Sequence, residues 1–221
     1  MTLHVDLFWS FRSPYCYLAG GRLERLMETF DVAIALRPVM PLVFRYPDYM
    51  PSLPKPYGLY FERDVMRVAE HLGESLIGPD ADPDPVVMDL VTGRAKEEQP
   101  HIFRLTRLGA EAERQGRGFA FARAVSRLIF NLEGRGWDQS DRLARAVSDA
   151  GFDLPALERA VARNEAVLDA TIAANGRSLE AAGHWGTPTM VFEGEPFFGQ
   201  DRIDLLVWRM KQRGLRKRVD Y

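Results

Sequence analysis

The chain has 221 residues, 46% hydrophobic and 27% charged, enough for one large domain or a domain with a sizeable insertion. Its formal net charge of −2, from 29 basic and 31 acidic residues, leaves no electrostatic footprint for nucleic acid. One cysteine excludes an intrachain disulfide, and no apolar run nears membrane-spanning length, so the expectation is a soluble cytoplasmic protein without a membrane partner.

Leu3 to Trp9 is an apolar run of strand length, followed by the short link Ser10-Phe11-Arg12-Ser13. A helical pattern begins at Pro14 and continues through Tyr17, Leu18, Leu23, Leu26 and Met27 to about Phe30. Pro14 suits the first helical position, and Ser13 suits the N-cap before it. Val32 to Arg37 reads as a second strand stopped by Pro38, which makes a β-α-β unit. Pro41 to Tyr57 holds five prolines and reads as a long irregular loop of the kind that serves function or moves.

From Leu59 the period turns helical, with Phe61, Val65, Val68 and Leu72 on one face and Gly73 as its C-cap. Pro79, Pro83 and Pro85 mark a break. Helices are then expected over 86–94, 97–115 and 119–133, from a Ser140 cap to Ala150, and from Leu154 to about Asn175 with Gly176 beyond its end. Thr189–Phe192 and Pro196–Phe198 read as a hairpin around Glu193-Gly194-Glu195. Asp201 is the expected cap of a last helix, with Asp204 in a capping-box-like place and Gly214 at its end. The order β-α-β, helices, β-β-α implies an α/β protein of thioredoxin-like fold: a mixed four-stranded sheet with a large all-helical insertion. Residues 1–58 and 176–221 form the two parts of the thioredoxin-like domain, and 59–175 the inserted helical subdomain.

Ser13-Pro14-Tyr15-Cys16 has the frame of a Cys-x-x-Cys redox motif with serine in the first position. In thiol–disulfide enzymes that position holds the exposed nucleophile, its pKa lowered by the helix end. A hydroxyl cannot do thiol chemistry, so sulfur handled here must arrive on a ligand. Cys16, one turn in, reads either as a small buried hydrophobe or as the thiol of a one-cysteine oxidoreductase. Gly186-Thr187-Pro188 precedes the third strand, where Pro188 either only starts the strand or, in the thioredoxin arrangement, is cis and turns the Thr187 backbone toward the site. Gly199-Gln200-Asp201-Arg202 opens the last helix. Asp201 there is either a plain cap or a partner for the ammonium of a zwitterionic ligand. Arg12 can meet a substrate carboxylate or lie exposed, and His184 reads as structural. His4, His71 and His101 have no partners at ligand spacing, so no metal site is expected.

With these motifs the chain resembles the kappa-class glutathione transferases and the 2-hydroxychromene-2-carboxylate isomerases, in the thioredoxin-superfamily branch that includes the periplasmic disulfide oxidases. The resemblance rests on Ser13-Pro14-Tyr15, on Lys55 after the proline loop, and on Phe121-Ala122-Arg123-Ala124-Val125 with Glu133-Gly134-Arg135. Its most specific part runs from Gly186-Thr187-Pro188-Thr189 to Phe197-Phe198-Gly199-Gln200-Asp201-Arg202. It implies glutathione as cofactor, with Ser13 as catalytic residue bonding the glutathione sulfur. Thr187 would lend its backbone to the cysteinyl part, Gln200 and Asp201 would hold the γ-glutamyl end and Lys55 the glycyl carboxylate, with Pro188 and Arg202 also among the glutathione-binding residues. It also implies a homodimer and a conjugated aromatic keto-acid substrate, isomerised about a double bond, with Arg12 at its carboxylate and Tyr15, Phe121 or Phe130 either in the substrate walls or plain core. The alternatives are a kappa-like transferase or peroxidase, a Cys16 thiol–disulfide enzyme, and a non-catalytic binding domain. The chain departs from the family pattern in having no asparagine near Ser52-Leu53 and in carrying cysteine at position 16, where serine is common.

Overall fold

The computed structural model describes residues 2–78 and 80–218. Pro79, part of the expected proline break, lies outside them. The described residues build a four-stranded sheet of order β2-β1-β3-β4 from β1 (Leu3–Trp9), β2 (Val32–Pro38), β3 (Thr189–Phe192) and β4 (Glu195–Phe198). β1 runs parallel to β2, from Leu3 opposite Val32 to Trp9 opposite Pro38. β3 is antiparallel to both β1 and β4. The thioredoxin-like mixed sheet is therefore present, and all the inserted helices lie between β2 and β3.

Helix α1 (Pro14–Thr29) links β1 and β2. Two four-residue helices, α2 (Leu42–Arg45) and α3 (Tyr49–Ser52), interrupt the stretch expected to be an irregular loop. Then come α4 (Pro56–Leu72), α5 (Ile102–Arg114), α6 (Gly118–Phe130), α7 (Arg142–Asp149) and α8 (Leu154–Ala181). α9 (Ile203–Gln212) packs against β3 and β4, while α5, α6 and α8 pack against β2. The main core joins the buried sides of β1, β2 and β3 to α1, α5 and α6, with Leu7, Trp9, Leu18, Leu36, Leu105, Val125 and Met190 at its centre.

Several expected elements come out differently. No helix forms over 86–94: Met88 bridges Ala95, and the Asp89 carboxylate accepts from the Val91 and Thr92 amides. The turn chemistry of Asp-x-x-Thr-Gly overrides the apolar spacing there. α5 begins only at Ile102, after Pro100. α7 starts at Arg142 with Asp141 in the cap position, and Ser140, the expected cap, has a left-handed φ of 54°. α8 continues past Gly176, which is an interior glycine and not a stop. Asn175 explains the continuation, since its buried side chain donates to the Pro38 carbonyl at 3.0 Å and ties the helix to the end of β2. The hairpin turn shrinks to Glu193 and Gly194, whose φ values of 50° and 81° suit a two-residue turn. Gly73 is the expected left-handed C-cap of α4.

Candidate active site

Ser13 sits in extended backbone (φ −92°, ψ 115°) and caps α1, accepting from the Cys16 amide at 3.3 Å. Pro14 follows at the first helical position, so the amide it lacks leaves nothing unpaired. The Ser13 hydroxyl donates to the Thr187 carbonyl at 3.3 Å, and the Thr187–Pro188 peptide is cis. The bond that the hydroxyl donates is longer than the ordinary O–H···O range of about 2.5–3.0 Å, the one it accepts lies just past the N–H···O range of about 2.7–3.2 Å, and the side chain is only half-buried. The hydroxyl is thus weakly held at the positive end of a 16-residue helix and is free to turn toward a ligand.

The link before Ser13 is fixed from two sides. Phe11 is buried with its ring edge-on to Phe121 at 5.8 Å. A Cβ on Gly109 would stand 2.8 Å from that ring, so the glycine lets α5 come close. Arg12 grips the Asp84 carboxylate through Nε at 3.1 Å and Nη2 at 2.8 Å, and the Val86 amide donates to the same carboxylate at 2.9 Å.

Around Ser13 opens a cleft of about 230 Å³. Arg12, Ser13 and Tyr15 form one side, and Trp185, Gly186, Thr187 and Phe198 the other. Tyr49 and Met50 of α3, with Tyr57 and Phe61 of α4, close it between them. The aromatic groups brace one another: Tyr15 is edge-on to Phe61 at 5.7 Å, and Tyr57 stacks on Phe61 at 6.2 Å. Across the cleft His184 stacks against both Trp185 (4.6 Å) and Phe198 (4.0 Å). Its Nδ1 accepts from the Gly186 amide at 2.9 Å, and burial lowers its pKa, so it serves as a neutral spacer.

The ionisable groups divide by depth. Burial pushes the Cys16 thiol up to about 11, against the smaller lowering effects of bonds from Ser10, Ser13 and Thr187. The Tyr15 hydroxyl donates to Asp64 at 2.6 Å, and burial with that carboxylate raises its pKa, so it stays a neutral donor. Asp80, at the open rim, lies above the usual carboxylate range because partial burial, with Asp84 close by, outweighs Arg12.

Of the residues expected at the site, Ser13, Thr187, Tyr15 and Arg12 meet in this cleft, with Arg12 already paired to Asp84. Phe121 does not reach it and is fully buried in the core between Phe11 and Phe152. Lys55 is exposed just before α4, two residues from the cleft residue Tyr57, and does not line the cleft. Pro188 lies behind Thr187 and accepts from the Gly199 amide at 2.9 Å. Gln200, Asp201 and Arg202 also stand outside the lining, in a short 3₁₀ turn ahead of α9. Asp201 does not cap that helix and is paired sideways with Arg202 at 2.6 Å. Arg123 of the Phe121-Ala122-Arg123 motif is structural, lying against Gly20 and Gly21 between Glu24 (3.4 Å) and Glu74 (3.6 Å). Sequence reasoning missed Tyr49, Tyr57, Phe61, Trp185 and Phe198 as cleft walls. The signal was the density of tyrosines in the proline-rich stretch and the Trp185 beside Gly186.

A thioredoxin-type sheet, a cis-proline loop and a helix-capping position filled by serine define a thioredoxin-fold protein without the exposed redox thiol. The chain belongs to the family of DSBA-like thioredoxin domains, whose model matches residues 4–211. Among solved structures it is similar to a 2-hydroxychromene-2-carboxylate isomerase at 20% identity, covering 95% of each chain with a TM-score of 0.68. A probable DsbA oxidoreductase from Streptomyces coelicolor is 19% identical over 99% of this chain and 93% of its own, with a TM-score of 0.63. The cytosolic disulfide reductase DsbM from Pseudomonas aeruginosa, solved with GSH, is 19% identical over 95% of this chain and 100% of its own, with a TM-score of 0.57. No curated protein sequence matches the chain. Among the described residues no helix is long and apolar enough to cross a membrane, and no cluster of His, Cys, Asp or Glu is arranged to hold a metal.

Proposed function

We propose that the protein is a glutathione-dependent isomerase of a conjugated aromatic keto-acid, of the 2-hydroxychromene-2-carboxylate isomerase type, working as a cytoplasmic homodimer. The observation that carries this reading is the weakly held Ser13 hydroxyl at the N-terminus of α1, 3.3 Å from the Thr187 carbonyl in an aromatic cleft. A helix end with a hydroxyl donor favours an anion, and a donor aimed at charge is worth most where water is partly excluded. The DsbM structure with GSH supports glutathione as the ligand, and the isomerase neighbour supports the reaction.

In this reading Ser13 turns from Thr187 to donate to the ligand sulfur, and the α1 amides add their dipole. Both lower the thiol pKa from the roughly 8.5 of a free cysteine, with each unit worth about 1.4 kcal/mol. Glutathione, when bound, supplies a thiolate that adds to a conjugated carbon and leaves again after the former double bond has rotated. Thr187 offers its backbone to the cysteinyl part of the ligand. In this reading Asp201, which stands outside the cleft lining, takes the ammonium end, and Lys55, exposed two residues before Tyr57, takes a carboxylate. Tyr15, Tyr57, Phe61 and Phe198 hold the aromatic substrate, and Arg12, fixed by Asp84, faces its carboxylate.

The alternative of a Cys16 thiol–disulfide enzyme is disfavoured by a thiol that is fully buried and pushed up to about 11. The reading is tested by following isomerisation of 2-hydroxychromene-2-carboxylate with and without glutathione. A rate that needs glutathione supports it. A rate indifferent to glutathione, or glutathione-dependent reduction of a mixed disulfide that is lost in Cys16→Ser, would overturn it.

A further inference from the structure

The backbone from Trp185 to Pro188 leads through one wall of the cleft, and each of its carbonyls is held by a different group. Thr189 Oγ1 donates to the Gly186 carbonyl at 2.8 Å, and the Gly199 amide donates to that of Pro188 at 2.9 Å. The Thr187 carbonyl accepts the long bond from Ser13. The Trp185 carbonyl accepts from Arg45 Nη2 at 2.5 Å. Thr189 and Gly199 lie close by in the chain, whereas Arg45 lies 140 residues before Trp185, at the end of α2.

Arg45 therefore joins two walls. Pro41, Leu42 and Val43 line the cleft, and Arg45, two residues further on, does not. Its Nε donates to the Met40 carbonyl at 2.9 Å, which fixes the guanidinium to the turn before α2 while Nη2 reaches Trp185. A planar fork can hold carbonyls on two separate segments in one geometry, which a flexible ammonium does far less well.

The position is otherwise unfavourable for a cation. The side chain is only 12% exposed, and Nη1 is buried without a hydrogen bond. Glu180 Oε1 stands 4.0 Å from Nη1 and already accepts from the Tyr46 hydroxyl at 2.7 Å. Burial lowers the Arg45 pKa, against the smaller raising effects of Tyr46 and Glu180, as expected for a charge compensated only in part. A buried donor left unpaired is a local cost that calls for an explanation, and such costs gather at functional sites.

We propose that Arg45 is a positioning residue: by holding the Trp185 carbonyl from outside the cleft, it keeps the Thr187 backbone in place across from Ser13. The Ser13 bond, at 3.3 Å, is too weak to set that separation, and Arg45 holds the same segment two residues upstream. The role rests on the glutathione reading, in which Thr187 offers its backbone to the cysteinyl part of the ligand.

The test compares the native protein with Arg45→Met and Arg45→Lys, with folding of each variant checked by circular dichroism. In glutathione-dependent isomerisation, Arg45→Met should raise the KM for glutathione about ten-fold, the scale of a lost charged hydrogen bond, and lower kcat at saturating glutathione by less than about two-fold. A merely structural role would lower kcat with the amount of folded enzyme and leave KM where it was. Arg45→Lys keeps one donor for the Trp185 carbonyl, so its KM should rise only about three-fold, and it answers the question where Arg45→Met does not fold. A native KM for glutathione in the folded variants overturns the proposal. Where the native protein shows no glutathione-dependent rate, the isomerase reading fails, and the tether is read from amide exchange. The Gly186 amide, bonded to His184 Nδ1 at 2.9 Å, should then exchange about ten-fold faster in Arg45→Met while the α1 amides keep their native rates. Native exchange at Gly186 overturns the positioning role.

Discussion

Two helix N-termini approach the same side of this fold, and their sequences advertise similar chemistry. At α1 the cap is Ser13, and at α9 the stretch Gln200-Asp201-Arg202-Ile203 offers a carboxylate in the expected cap position. The structure treats them differently. The α1 end faces open space, with Ser13 held by two long bonds and the Thr187 carbonyl on the far wall. The α9 end closes on itself: Arg22 takes the Gln200 carbonyl at 2.6 Å and Asp204 at 2.9 Å, and Asp201 pairs with Arg202. A cap signature therefore marks a helix start and nothing more. What makes one terminus a candidate site is a second wall across from it, here supplied by a loop some 170 residues along the chain.

Depth along α1 sharpens the contrast. Ser13 and Cys16 are one helical turn apart, yet Ser13 is half-exposed and Cys16 fully buried. With its thiol at about 11 in place of 9.0, Cys16 should be alkylated by iodoacetamide at neutral pH about 100-fold more slowly than in the unfolded chain. Its pKa is raised on folding, so between pH 9 and about 11 the unfolded chain has lost the proton that the native state keeps. Stability then falls as pH rises through that window, and Cys16→Ala should flatten that part of the stability profile. Rapid alkylation of the native protein would place the thiol at the surface and return the oxidoreductase reading to the front.

Ser13→Ala comes next in size. It removes the hydroxyl that we propose bonds the ligand sulfur, and kcat for the proposed isomerisation should fall about ten-fold or more, while the fold persists. An unchanged rate would leave the α1 terminus no more special than that of α9.

How much of this contrast was legible beforehand follows from what sequence patterns encode. The strands, α1 and the Ser13 cap were legible because apolar periodicity, Pro14 and the capping hydroxyl are local signals. The walls of the cleft were not, because Tyr57 and Trp185 come together only through tertiary packing. Gly176 misled, since a glycine in the interior of a helix looks the same in sequence as one that ends it. Gly109 carried no visible signal at all, although it seats Phe11 and with it the link to Ser13. Gly109→Ala should gain helix propensity but crowd a buried ring at 2.8 Å, for a net loss of about 1 kcal/mol or a five-fold shift in the folding equilibrium. A lower Tm and altered ligand binding at the α1 terminus are expected, and a higher Tm would show that Phe11 is free to move.

The smallest effect belongs to the α9 terminus. Asp201 is exposed and already paired with Arg202, so whatever it gives a ligand ammonium is screened by water and competes with that neighbour. Asp201→Asn should therefore weaken glutathione about two- to five-fold in Kd, with kcat unchanged, as for an exposed ion pair worth up to about 1 kcal/mol. Raising the salt concentration should shrink the difference, because exposed charges are screened beyond about 8–10 Å at physiological ionic strength. A loss as large as that of Ser13→Ala would mean that ligand binding opens the Asp201–Arg202 pair and draws this turn into the site. The two helix ends would then differ only in the empty protein, and the closed α9 terminus would be a waiting state of a site completed by its ligand.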